Sequence, residues 1–164
     1  MKTLLLIRHA KAASYGAEPG DHGRPLATKG TDQARKLASQ LQAANVFVDL
    51  ALVSTALRTA QTWQWLFQGK AGNEAQFIEE LYLASAEQIE RQIELNKKSF
   101  QTLAVIGHNP GLSVLAWKLL AAGVDHDPVA ERAVRAAFKT AFAARFDFLG
   151  DKPKLVQLFD PRVG

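Results

Sequence analysis

Three short apolar runs, Leu4-Leu5-Leu6-Ile7, Ala51-Leu52-Val53 and Ala104-Val105-Ile106, each stop abruptly at polar residues. Segments with apolar residues at three- and four-residue spacing lie between them. Consecutive apolar residues bounded by polar ones suit a strand covered on both faces, as in the middle of a parallel sheet, and intervening helices supply the covers. The alternation predicts an α/β fold: a three-layer α/β/α sandwich with a mostly parallel central sheet. Near the end, Ala141 to Phe148 and Lys154 to Phe159 read as two strands joined by a Gly150-Asp151 turn, which adds an antiparallel edge. A chain of 164 residues with 48% hydrophobic content suits one domain over residues 1–164.

The remaining elements follow from periodicity and capping signals. A helix runs from Thr28, read as its N-cap, to about Ala44-Asn45, on Ala34, Leu37, Ala38 and Leu41. Asp49 to Val53 is a strand, and Ser54 or Thr55 caps a helix through Phe67, with Arg58 near its start. Gln76 to Ile78 is a weaker strand, Ala84 to Asn96 a helix capped by Ser85, Leu103 to Ile106 a strand, and Leu112 to Ala122 a helix. The stretch from Ala12 to Pro25, with Gly16, Pro19, Gly20 and Gly23, reads as a long loop, a kind of segment that often serves function. Gly123 to Lys139 reads as a connection between the last helix and the closing strands.

Composition narrows the chemistry. With no cysteine, a thiol nucleophile, a zinc–thiolate site and a disulfide framework are all excluded. The net charge of +4 comes from scattered lysines and arginines, the longest basic run being Lys97-Lys98, which suits attraction of anionic small ligands better than a nucleic-acid surface. The first apolar run is too short for an export signal or a membrane span, so a cytoplasmic location with no membrane partner is expected. His9, His22, His108 and His126 lack a metal-ligand spacing, and no metal or other cofactor is expected. The tryptophans Trp63, Trp65 and Trp117 fall in helices and are expected to pack rather than stack on bases.

Each of the three apolar runs ends on chemistry-bearing residues: Arg8-His9, Ser54-Thr55-Ala56-Leu57-Arg58 and Gly107-His108-Asn109. Ligands of open α/β sheets bind outside the carboxyl ends of the strands, so two arginines and two histidines converge on one crevice. Arginine offers paired donors to phosphoryl oxygens at any relevant pH, and a neutral imidazole can attack phosphorus.

Arg8-His9-Ala10, within Leu-Ile-Arg-His-Ala-Lys-Ala, resembles the signature of the histidine phosphatase superfamily, in particular the short bacterial branch typified by the phosphohistidine phosphatase SixA. The likeness continues in family order through Arg24-Pro25-Leu26 and Gly30, Ser54 to Thr62, Leu81-Tyr82, and Gly107-His108-Asn109-Pro110. It implies a phosphoglycerate mutase-like fold and a metal-independent phosphatase. His9 would be transiently phosphorylated, Arg8 and Arg58 would clamp the phosphoryl oxygens, and His108 would complete the pocket. Many members carry an acid that protonates the leaving group where Leu83 follows Leu81-Tyr82 here. Glu80 is then the candidate donor, with Glu79, Asp21 or no donor as alternatives. A weak or absent donor fits a phosphohistidine-bearing protein or another activated small phosphate as substrate. Two other departures are Ala12, where relatives often have serine, and Lys139, where proline is expected. Two alternative readings are a phosphosugar or phosphoglycerate mutase, against which the short chain leaves little sequence for a lid, and a non-catalytic phosphate-binding module. Sequence leaves the oligomeric state open.

Overall fold

The computed structural model describes residues 1–14, 20–69 and 74–163. Among the described residues six strands form one sheet: β1 (Thr3–Arg8), β2 (Leu50–Ser54), β3 (Glu74–Ile78), β4 (Thr102–Gly107), β5 (Ala143–Leu149) and β6 (Lys152–Phe159), in the order β3-β2-β4-β1-β5-β6. The pairs β2–β3, β2–β4 and β1–β4 are parallel, whereas β5 runs antiparallel to β1 and β6 antiparallel to β5. This is the expected mixed sheet.

Alternation along β1 splits the core in two. Leu4 and Leu6 face one layer with Ile89, Ile93, Leu112, Leu115 and Val134, from helices α3 (Ala86–Asn96), α4 (Gly111–Ala122) and α5 (Pro128–Ala136). Leu5 and Ile7 face the other with Ala34, Leu37, Leu41, Leu66 and Phe67, from α1 (Thr28–Ala43) and α2 (Leu57–Phe67). All four β1 residues are 1% exposed or less, so the strand that leads to His9 is fixed from both sides. The three-layer sandwich follows directly from that double burial.

Several local readings change. The segment from Gly123 to Lys139 contains α5, whose signals are all present: Asp127 caps it by accepting from the Ala130 N–H at 2.7 Å, and Pro128 opens it. It is short, which hides its periodicity in sequence. Ser54 and Thr55 do not cap α2; Ala56 holds that position without a side-chain cap. Thr28 is the first helical residue of α1, behind Ala27. Ser85 does cap α3, in a reciprocal capping box with Gln88. Trp63 packs against the second core layer, but Trp65 and Trp117 are 42% and 47% exposed, and Arg35 lies over the Trp65 ring at 4.6 Å. Of the Ala12–Pro25 loop, residues 15–19 lie outside the described residues.

Two glycines bring the long loop and α4 close to their neighbours. A Cβ at Gly30 would lie 2.0 Å from the Lys11 carbonyl oxygen, and one at Gly111 would lie 2.0 Å from that of Ala84. Only glycine permits either approach. The first seats α1 against the chain just beyond His9; the second seats the start of α4, just beyond His108.

Candidate active site

The carboxyl ends of β1, β2 and β4 lie side by side, and the residues that follow them meet there. Arg8 pairs in register with Gly107, and the His9 N–H donates to the Gly107 carbonyl at 3.1 Å. His9 and His108 therefore leave neighbouring parallel strands together, and their ring centres are 5.1 Å apart. Arg58, the second residue of α2, is 3% exposed and reaches His108 Nδ1 with its Nη2 at 3.4 Å.

Hydrogen-bond partners fix the tautomers. His9 Nδ1 lies 2.7 Å from the Ala10 carbonyl oxygen, which can only accept, so Nδ1 carries the proton and Nε2 keeps a free lone pair. The ring is held neutral: its pKa is lowered to about 4 by burial and by the charges of Arg58, Arg8 and Arg24, against the opposing pull of the Ala10 contact. At His108 the roles reverse. Nδ1 faces the guanidinium of Arg58, which can only donate, so Nε2 bears the hydrogen and gives it to Ser54 Oγ at 2.8 Å. Its pKa is lowered to about 3, first by burial, then by His9 and Arg58.

The Arg8 guanidinium donates from Nη1 to the Phe138 carbonyl at 2.9 Å, a carbonyl it shares with Asn109 Nδ2. Its Nε is buried and has no hydrogen-bond partner among the described residues, a donor left for an oxyanion. Burial and the neighbouring Arg162 lower its pKa from the usual arginine value. The backbone around it is held by Ala141, whose N–H lies 3.0 Å from the Arg8 carbonyl and 3.1 Å from that of His9. Ala141 reaches both from a left-handed φ of 58°. Thr62 ties α2 to the same turn, accepting from the Ala10 N–H at 3.1 Å and donating to the Arg58 carbonyl at 2.7 Å.

Asp21 anchors the outer side of Arg58. Its carbonyl accepts from Nη1 at 2.6 Å and its carboxylate from Nη2 at 3.0 Å, while Arg24 Nη1 and the Tyr82 hydroxyl donate to the same carboxylate at 2.7 Å each. The Tyr82 bond, then Arg24 and Arg58, hold this carboxyl far below the usual carboxylate range. The Tyr82 ring stands edge-on to His108, 5.6 Å between centres, and to His22, 4.8 Å. His22, which falls in the long loop read from sequence, also bonds to Thr55 Oγ1 at 3.0 Å.

Of the residues singled out in the sequence, the structure brings Arg8, His9, Arg58 and His108 together. Asp21 joins them as a standing anion. Glu79 and Glu80 are exposed on a 3-10 turn, Glu79–Leu81, and among the described residues neither bonds to the basic cluster. Sequence reasoning gave Ser54 the wrong partner and Tyr82, Thr62 and Asn109 no role. The signal for Tyr82 was its place in the Leu81-Tyr82 block; the Phe138 carbonyl, being backbone, gave none. Among the described residues, no group of three or more His, Asp or Glu is arranged to hold a metal, and no helix is long and apolar enough to cross a membrane.

Comparison with known proteins agrees with this geometry. The family model for the histidine phosphatase superfamily (branch 1) matches residues 4–137. An uncharacterized Mycobacterium tuberculosis protein is 36% identical over 126 residues, 77% of each chain. Two solved structures superpose with a TM-score of 0.84: a candidate phosphohistidine phosphatase SixA from Agrobacterium tumefaciens, 26% identical over 98% of this chain and 99% of that one, and one from Nakamurella multipartitia, 27% identical over 99% and 97%. Paired histidines and arginines at the ends of β1, α2 and β4 are what that family's model spans here, and the chain belongs to the histidine phosphatase superfamily, branch 1, among the SixA-like phosphatases.

Proposed function

We propose that the protein hydrolyses a phosphoryl group through a phosphohistidine on His9. The observation that carries this reading is the free Nε2 lone pair of a neutral His9, held beside Arg8, Arg58 and His108. In the first step Nε2 forms a bond to phosphorus as the bond to the leaving group breaks, and the electron pair goes to the leaving atom. Arg8 and Arg58 hold the equatorial oxygens where negative charge collects, and His108 lines the same space. In the second step a water oxygen attacks phosphorus, the Nε2–P bond breaks, and its pair returns to Nε2. The water's proton leaves with the orthophosphate or to solvent.

The substrate class that fits best is a phosphohistidine-bearing protein or another activated phosphate. Asp21 is held as an anion and cannot give a proton; Glu80 or solvent would supply one where a leaving group needs it. The names borne by the similar Agrobacterium and Nakamurella structures support the same class. His9→Ala removes the nucleophile, so turnover of p-nitrophenyl phosphate and of a phosphohistidine peptide should vanish. Rapid acid-free quench with labelled substrate should place the label on His9 in the unmodified enzyme. Near-normal turnover by the alanine variant would end this reading.

A further inference from the structure

Resting on the reading above, we propose that Asp21 sets the leaving-group preference of the site, favouring phosphoryl donors whose departing atom is a protonated nitrogen system over oxygen esters that depart as alkoxides. The geometry behind this is the placement of one carboxylate at the rim of a pocket otherwise built from cations and imidazoles. Its two oxygens accept from Arg58, Arg24 and Tyr82, and its side chain keeps a third of its surface open to solvent. Arg58 and Tyr82 both touch His108, so the carboxylate lies one side chain away from the phosphoryl pocket.

Three charge-assisted donors on one carboxylate make it a fixed anion rather than an acid. An alkyl phosphate gains nothing from that. When its P–O bond breaks, the electron pair moves to oxygen, and the growing alkoxide needs a proton that Asp21 does not hold. It also meets a like charge at the rim. A phosphoimidazole behaves differently. Protonated on the ring nitrogen that does not bear phosphorus, it enters with a cationic ring beside its anionic phosphoryl group. His9 Nε2 forms its bond to phosphorus, the P–N bond breaks, and the pair returns to the departing nitrogen. The ring leaves as neutral imidazole with its N–H in place, and no acid is required. The Asp21 carboxylate attracts that cationic ring and accepts from its N–H. An alkylphosphoramidate protonated on nitrogen leaves as a neutral amine by the same balance.

The test compares kcat/KM for phosphoimidazole and for p-nitrophenyl phosphate in the unmodified enzyme, Asp21→Asn and Tyr82→Phe. Nitrophenolate leaves without a proton, so it reports on the phosphoryl pocket alone. Asp21→Asn keeps the side chain's size and removes its charge. Both rates should fall as Arg58 loses the charge that anchors it, and the phosphoimidazole rate should fall at least tenfold further than the nitrophenyl rate. Tyr82→Phe removes one donor and leaves the charge, so the ratio of the two rates should hold. The phosphoimidazole rate of the unmodified enzyme should also decline as pH rises and the donor loses its ring proton, with that decline flattened in Asp21→Asn. Equal losses on both substrates in Asp21→Asn, with an unchanged pH profile, would reduce Asp21 to a brace for Arg58 and overturn the inference. Trapping labelled phosphate separates the two levels: if neither donor labels His9, the nucleophile assignment fails; if both do and the ratio ignores Asp21, only this inference fails.

Discussion

His9 and His108 face each other across 5.1 Å in opposite tautomers, the first protonated on Nδ1 by the demand of a carbonyl, the second on Nε2 by the demand of Ser54 and Arg58. Both rings are thereby neutral in the free site. With pKa values lowered to about 4 and about 3, neither should titrate between pH 8 and pH 5. Carbon-detected or proton–carbon NMR of the ring Cε1 signals checks this directly. An inflection near pH 6.5 from either residue would contradict it.

The same depression ties stability to pH. An imidazole that is neutral when folded and titrates near 6.5 when unfolded makes the unfolded chain bind more protons between those values. Stability therefore rises with pH from about 4 to about 6.5 and is lost as pH falls through that window. Thermal melts at pH 7.5 and 5.0 should show the drop, and His108→Asn should shrink it. A melting temperature independent of pH across the window would refute the assignment.

Filling the pocket should reverse the electrostatics. A tetrahedral dianion offsets the charges of Arg8 and Arg58 and favours charged imidazole, so tungstate or vanadate binding at pH 6 should take up a proton. Calorimetry in buffers of different ionisation enthalpy measures it. Binding enthalpies that do not vary with buffer would count against a role for either ring.

Ser54→Ala leaves the buried Nε2–H of His108 without its acceptor. An unsatisfied buried donor costs about 1–3 kcal/mol, and His108 should turn from its present orientation. Denaturant unfolding and nitrophenyl phosphate turnover should both decline. Full activity would show that another group orients the ring.

Gly30→Ala should be destabilising although it lies in a helix, where alanine is normally the better residue. Its Cβ would meet the Lys11 carbonyl at 2.0 Å, so α1 or the turn after His9 must shift. The expected loss is about 1–3 kcal/mol, with reduced activity from a displaced His9. A gain in stability would contradict the contact.

The sheet and the four basic site residues were legible because they rest on features that sequence carries: double-sided apolar runs and residue types at strand ends. Helix α5 was missed because nine residues give too little periodicity, although Asp127-Pro128 marked its start. Ser54 was misread because a serine before a helix suits a cap equally well; a buried imidazole 54 residues away claimed the hydroxyl instead. The Asp21 anchor was out of reach for the same reason, since its strongest partner Tyr82 is 61 positions distant. Local patterns report short-range structure, and these bonds depend on how distant loops are folded together.

Strand β1 is made before the other strands of the sheet yet sits between β4 and β5, its partners from residue 102 onward. A nascent chain ending before those partners would present its most apolar segment as an unpaired edge, prone to sticking to other strands. The segment that bears the nucleophile is thus the one most in need of protection on the ribosome, and truncations that remove β5 should collect in inclusion bodies rather than survive as smaller phosphatases.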